Sequence, residues 1–136
     1  MARPGQWLRA FMQPGIVASC IAVVVGCGAS RIPGTLRGYE IVVEQKDPQA
    51  LELARAMRAY GFRVRPAVRG GSRATAALVF FVFSEPGRGQ PNWLHLRLAD
   101  TRSGMILAAA AVPLDSVGPS LRERAVAAVR ALTTSP

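Results

Sequence analysis

Apolar positions early in the chain change their spacing in a way that predicts a strand followed by a helix. The apolar run at residues 41–43 predicts a short strand. Asp47 and Pro48 have the composition of a helix N-terminus, and Gly61 that of a C-cap, so a helix should end near Tyr60. The stripe expected to face the core consists of Leu51, Ala54, Met57 and Tyr60.

Two further strands are predicted between this helix and the middle of the chain. Residues 62–68 alternate apolar side chains with arginines, and Pro66 places this strand at a sheet edge or ends it early. Residues 76–83 are apolar on both sides of the strand. That pattern predicts a central strand covered on both faces.

The next segment predicts a hairpin with two different faces. Residues 93–98 place three leucines on one face, residues 100–104 form a turn, and residues 105–114 form the last strand. If the leucines face the helices, the second face is open, and a partner, a second copy or the long loops must cover it. The residues on this second face are Trp93, His95 and Arg97.

A second helix completes the predicted fold. Ser120 and Glu123 form a capping box ahead of it. The order of elements is then β-α-β-β-β-α, which predicts a small single domain of the α+β class, with two helices packed on one face of a sheet. The stripe of this helix consists of Leu121, Ala125, Ala128, Val129 and Leu132.

A further prediction concerns which loops share an end of the sheet. If the first two strands are parallel and each later connection reverses direction, loop 69–75 and turn 100–104 share one end. Loop 84–92, with Arg88, would then lie at the other end, near the start of the domain. The arginines predicted to meet at the first end, as a candidate anion-binding site, are Arg69, Arg73 and Arg102.

The first 26 residues have the pattern of an export signal. Two arginines and no acidic residue precede the apolar stretch at residues 16–25. A spanning helix needs roughly 20 apolar residues, and this stretch has ten, so a cleaved signal peptide is the better prediction.

The sequence Val24-Val25-Gly26-Cys27 resembles the lipobox of bacterial lipoproteins. The resemblance implies that Val24, Val25 and Gly26 are recognised by the lipoprotein signal peptidase, and that acyl chains such as palmitate are attached to Cys27. Two or more chains give durable membrane anchoring. A second match, residues 17–20 ending in Cys20, has a much shorter apolar stretch before it and ranks lower.

The lipobox divides the chain into three parts and implies a location. Residues 1–26 are a signal peptide, residues 27–38 are the lipidated cysteine and a tether, and residues 39–136 are an envelope domain. The tether would allow the domain to stand roughly 35 Å from the bilayer. The residue after Cys27 is Gly28 and not an aspartate. For a bacterial lipoprotein, this implies that the protein is located on the periplasmic face of the outer membrane.

The charge of the chain is strongly basic, with 17 basic and 8 acidic residues and a net charge of +9. This favours an anionic envelope polymer or an envelope protein as a partner, besides the membrane. A GC-rich genome also produces an arginine-rich surface without any partner, so both interpretations stay open. The arginines form no dense run, which argues against nucleic acid.

Candidate chemistry is sparse. No cysteine follows residue 27 and His95 is the sole histidine, so we expect no metal and no cofactor. A triad of Ser72, His95 and Asp100 can be drawn, but no nucleophile elbow accompanies it. We therefore expect a protein that is not an enzyme, and an envelope hydrolase is the weakest alternative.

The order of elements over residues 39–134, with the lipid anchor, resembles small outer-membrane lipoproteins, including the lipopolysaccharide-assembly lipoprotein family. Leu36-Arg37-Gly38 before the first strand resembles the latter family. The resemblance implies a non-catalytic binding or structural role in the cell envelope, or an accessory role in lipopolysaccharide or outer-membrane assembly. It assigns no binding residue.

Overall fold

The computed structural model describes residues 32–84 and 87–134. The predicted signal peptide and the lipobox-like sequence, with Cys20 and Cys27, lie outside the described residues. The predicted α+β class, the order β-α-β-β-β-α and the packing of both helices on one sheet face are confirmed. The elements are β1 (Glu40–Val42), α1 (Pro48–Ala59), β2 (Arg63–Arg65), β3 (Thr75–Ser84), β4 (Asn92–Asp100), β5 (Ile106–Pro113) and α2 (Leu121–Thr134), with 3-10 turns at Gly34–Leu36 and Leu114–Ser116.

The five strands form one mixed sheet in the order β2-β1-β3-β4-β5. β1 is parallel to both β2 and β3, whereas β3, β4 and β5 are antiparallel to their neighbours. β2 lies at an edge, as Pro66 predicted, because a proline has no N–H to donate to a second neighbour. β3 is the central strand, as its apolar sequence predicted.

The direction of β3 corrects the predicted placement of the loops. β3 runs parallel to β1, so the segment after β2 crosses the sheet instead of reversing beside it. Turn 100–104 therefore lies at the end of the sheet where β1 begins, which we call the tether end. Loop 84–92 lies at the opposite, far end. Arg88 is thus distant from the start of the domain, contrary to the prediction.

The route of residues 66–74 follows from the handedness of parallel connections. Such connections are right-handed in nearly all proteins. The connection from β1 to β2 contains α1, which packs on one face of the sheet. The connection from β2 to β3 crosses the sheet in the opposite direction, so a right-handed path takes it over the other face. The cavity beside Glu40 and Arg65 is accordingly lined by Arg69 and Arg73 from this segment.

The core lies between the sheet and the two helices. The leucines of β4 that were predicted to face the helices are at most 1% exposed. In α1 the buried stripe is shifted from the predicted one, because Leu53 is fully buried while Leu51 is 51% exposed. In α2 the predicted stripe is buried except for Leu121, which is 37% exposed.

Both helices are capped by the residues that the sequence indicates. The Asp47 side chain accepts a hydrogen bond from the Ala50 N–H at 3.0 Å. At the other end of α1, the N–H groups of Gly61 and Phe62 return to carbonyls of the last turn, with Gly61 at a φ of +98°. In α2, Ser120 and Glu123 form the predicted capping box.

The segment expected to act as a tether is partly packed on the domain. Ile32 is 9% exposed, Leu36 is 2% exposed, and both belong to the main core. The guanidinium of Arg37 donates to the Ile32 carbonyl at 3.2 Å and closes this turn on itself. Two of the residues predicted to form a tether, Ile32 and Leu36, are therefore part of the described core.

Candidate functional site

The face of the sheet opposite the helices carries several exposed apolar side chains. The antiparallel register pairs Val79 with Arg97, Phe81 with His95, and Phe83 with Trp93. Residues directly opposite in such a pair share a face, and the leucines of β4 occupy the other one. We call this surface the open face and define it by Val79, Phe81, Phe83, Trp93, His95 and Arg97.

Aromatic rings on the open face are stacked on one another. The rings of Phe81 and His95 lie 5.0 Å apart and within 3° of parallel, and Phe83 meets His95 edge-on at 6.3 Å. The guanidinium carbon of Arg97 lies 5.4 Å from the centre of the Phe81 ring, within cation–π range. His95, the sole histidine, thus contributes a flat aromatic surface.

The expectation that β3 is covered on both faces is wrong for the described residues. Val79, Phe81 and Phe83 are 46%, 39% and 48% exposed, and the described helices pack only on the opposite face. The second interpretation of the sequence, an open face, is the one that holds in this part of the chain. Trp93 is half-buried at the far end of this surface.

A buried carboxylate lies beside the open face, in β1. Glu40 is 6% exposed and is the only buried charged residue among those described. Its Oε1 pairs with the guanidinium of Arg65 at 2.9 Å and with that of Arg73 at 3.1 Å. These ion pairs hold the end of the 66–74 segment over β1. No sequence pattern predicts this cluster, since the three residues meet only through the crossover.

The three arginines predicted to bind an anion come together around the 66–74 segment. Arg69 and Arg73 line one polar cavity with Arg65, and Arg102 donates to the Gly71 carbonyl of the same segment at 3.1 Å. Their proximity was predicted, but their location was not: the 100–104 turn that carries Arg102 is at the tether end. Arg73 is also engaged by Glu40, whereas neither Arg69 nor Arg102 forms an ion pair with a carboxylate among the described residues.

The residues of the hypothetical triad are not assembled. His95 and Asp100 lie in one strand, five residues and about 17 Å apart along it, with side chains on opposite faces. The Asp100 carboxylate instead accepts the backbone N–H groups of Ser103 and Arg102, which lower its pKa. No catalytic role for His95 follows from this arrangement.

Neither a metal site, a membrane-spanning helix nor a related protein adds a candidate site among the described residues. Within residues 32–84 and 87–134, no group of three or more histidine, cysteine, aspartate or glutamate side chains could hold a metal ion. No helix in those ranges is both long and apolar enough to cross a membrane. The chain matches no protein-family model, no curated protein and no solved structure.

Proposed function

We propose that this protein is a lipid-anchored protein of the bacterial cell envelope, with acyl chains on Cys27 and a binding or structural role. The observation that carries the proposal is the sequence Val24-Val25-Gly26-Cys27, whose two valines end a ten-residue apolar stretch. The position of the fold supports it. Among the described residues the buried core includes Ile32, and four residues separate Cys27 from it in the sequence.

The role proposed for the domain is binding, because its exposed chemistry is that of a contact surface. The open face presents stacked rings and an arginine, with His95 held as part of the stack. Exposed apolar surface of this kind is typical of an interaction site. A lipid anchor would concentrate that surface at the membrane, on the periplasmic face of the outer membrane as the residue after Cys27 implies.

The anchor is tested by metabolic labelling with an alkyne analogue of palmitate, followed by mass spectrometry of the native protein. We expect label on the wild-type chain and an N-terminus at Cys27. Cys27→Ser should abolish both labelling and cleavage. Cys20→Ser is the matched control, since it removes the other of the two cysteines of the chain and should leave labelling intact.

The opposite pattern would overturn the assignment. Label that persists in Cys27→Ser and disappears in Cys20→Ser would move the anchor to the upstream motif. An unlabelled wild-type chain with an intact Met1 would remove the envelope anchor altogether.

A further inference from the structure

The open face is an apolar surface that no described element covers. Val79, Phe81 and Phe83 each expose more than a third of their surface, and Trp93 and His95 continue the same surface across β4. Burying exposed aromatic rings is favourable by roughly 25 cal/mol for each Å² removed from water. Covering this surface with a partner or a membrane would therefore be favourable.

The exposed charged side chains of the strands on this side of the sheet are basic. Arg63 and Arg65 alternate with Val64, which places both guanidinium groups on the side of the open face, and Arg97 lies on the open face itself. Among strand residues on this side the one acid is Glu40, which is buried and already paired. An apolar surface bordered by arginines, without an exposed carboxylate, complements an anionic occupant.

The length of chain ahead of the fold limits how far this surface can be from a membrane. From Cys27 to Ile32 there are five residue steps, which span at most about 17 Å when fully extended. β3 has ten residues and is about 30 Å long. With acyl chains on Cys27, Ile32 therefore lies no further from the bilayer than about half the length of β3.

We infer that the open face lies against the bilayer that holds the acyl chains of Cys27. The aromatic side chains would sit at the membrane interface, and the neighbouring arginines would contact anionic phospholipid headgroups. This inference rests on the proposed lipid anchor and gives the domain a second, non-covalent membrane contact. It also accounts for exposed rings in a domain tethered so closely.

Trp93 provides a direct test, because it belongs to the open face. The chain has two tryptophans, and replacing the other one, Trp7→Phe, leaves Trp93 alone whether or not the precursor is cut. The full chain with this substitution is placed in vesicles that contain phosphatidylglycerol and lipids brominated near the headgroup. We expect quenching of Trp93 fluorescence, and weaker quenching at high salt, which screens the arginines.

Matched variants separate the open face from the rest of the surface. The control carries Trp7→Phe, Trp93→Phe and Leu121→Trp, which moves the only tryptophan to an exposed position on α2; it should not be quenched. Phe81→Ser with Phe83→Ser should remove most of the quenching. Arg97→Gln should lower the affinity of this surface for anionic vesicles about fivefold. Circular dichroism shows whether each variant is folded.

The outcomes distinguish this inference from the lipid anchor itself. Quenching equal to that of the Leu121→Trp control, in a chain that carries the palmitate label, would overturn the inference and leave the anchor in place. Quenching of Trp93 in an unlabelled chain would support the open face and overturn the anchor. Cross-linking of the open face to a second copy or another protein, without quenching, would identify it as a protein interface and also overturn the inference.

Discussion

The hydroxyl of Tyr39 donates a hydrogen bond of 3.0 Å to the carboxylate of Asp100, and so joins the start of β1 to the end of β4. The same carboxylate accepts the backbone N–H groups of Ser103 and Arg102, which stabilise its ionised form and lower its pKa. The bond raises the pKa of Tyr39, because an ionised hydroxyl could no longer donate. Asp100 thus stabilises the 100–104 turn and links it to the residue that precedes β1.

Asp100 should make stability depend on pH in the acidic range. Its pKa is lower in the folded than in the unfolded chain, so the ionised group stabilises the fold. That contribution is complete above the ordinary aspartate pKa of about 4, and it is lost as the pH falls through the lower folded value. We expect Asp100→Ala to be less stable than wild type near neutral pH, with a difference that narrows below about pH 4.

The measurement is urea denaturation of both chains at a series of pH values. Hydrogen bonds with Ser120 also lower the pKa of Glu123. Because both chains contain Glu123, its effect cancels in the difference between their free energies of unfolding. If the difference in free energy of unfolding between the two chains stays constant from neutral pH down to about pH 3, the lowered pKa of Asp100 is contradicted.

Glu40 and its arginine partners should contribute unequally to the free energy of unfolding. The Glu40 side chain is 8% exposed, whereas those of Arg65 and Arg73 are 42% and 60% exposed. Glu40→Gln leaves a buried group without its charged partners and should lower the free energy of unfolding by about 1–3 kcal/mol. Arg73→Gln removes an exposed partner and should cost less than about 1 kcal/mol.

Chemical denaturation of the two variants under one set of conditions checks this order. If Arg73→Gln lowers the free energy of unfolding more than Glu40→Gln does, then the attachment of the 66–74 segment contributes more to stability than the buried carboxylate.

Two leucines of α1 provide a test of which stripe faces the core. Leu53 is fully buried, so Leu53→Ala should lower the free energy of unfolding by about 2–5 kcal/mol. Leu51→Ala changes the same residue type on the same helix, but at a position that is 51% exposed, and should be within about 0.5 kcal/mol of wild type. A larger loss in Leu51→Ala than in Leu53→Ala would instead support the stripe expected from sequence.

Much of the fold could be predicted because its signals are local. Asp47 with Pro48, Gly61, and Ser120 with Glu123 mark helix ends by chemistry within a few residues, and all three predictions are confirmed. The alternation of β4 also decides its buried face, since a one-residue shift would expose the leucines. Local rules could not separate Leu51 from Leu53, as both fit a helical period.

What sequence could not predict depends on residues far apart in the chain. The direction of β3 is set by its parallel pairing with β1, and nothing in the 66–74 segment distinguishes a crossover from a reversal. The Glu40 cluster depends on that crossover, as does the location of turn 100–104 at the tether end. The candidate arginines were therefore predicted to meet, but at the wrong end of the domain.

The last prediction concerns the glycine that ends α1 next to the start of the fold. Gly61 has a φ of +98°, a conformation that side chains disfavour, while the nearest atom to an added Cβ, from Ile32, would be at an ordinary contact distance of 3.5 Å. Gly61→Ala should therefore lower the free energy of unfolding by about 1–2 kcal/mol through backbone strain alone. Gly38→Ala is the control: it has no positive φ and no atom within 4 Å, so it should leave stability unchanged or slightly raised. Gly61→Asn should fall between the two, because asparagine tolerates this conformation better than alanine does. If Gly61→Ala and Gly38→Ala unfold at the same urea concentration, α1 does not need a left-handed residue to end where it meets Ile32.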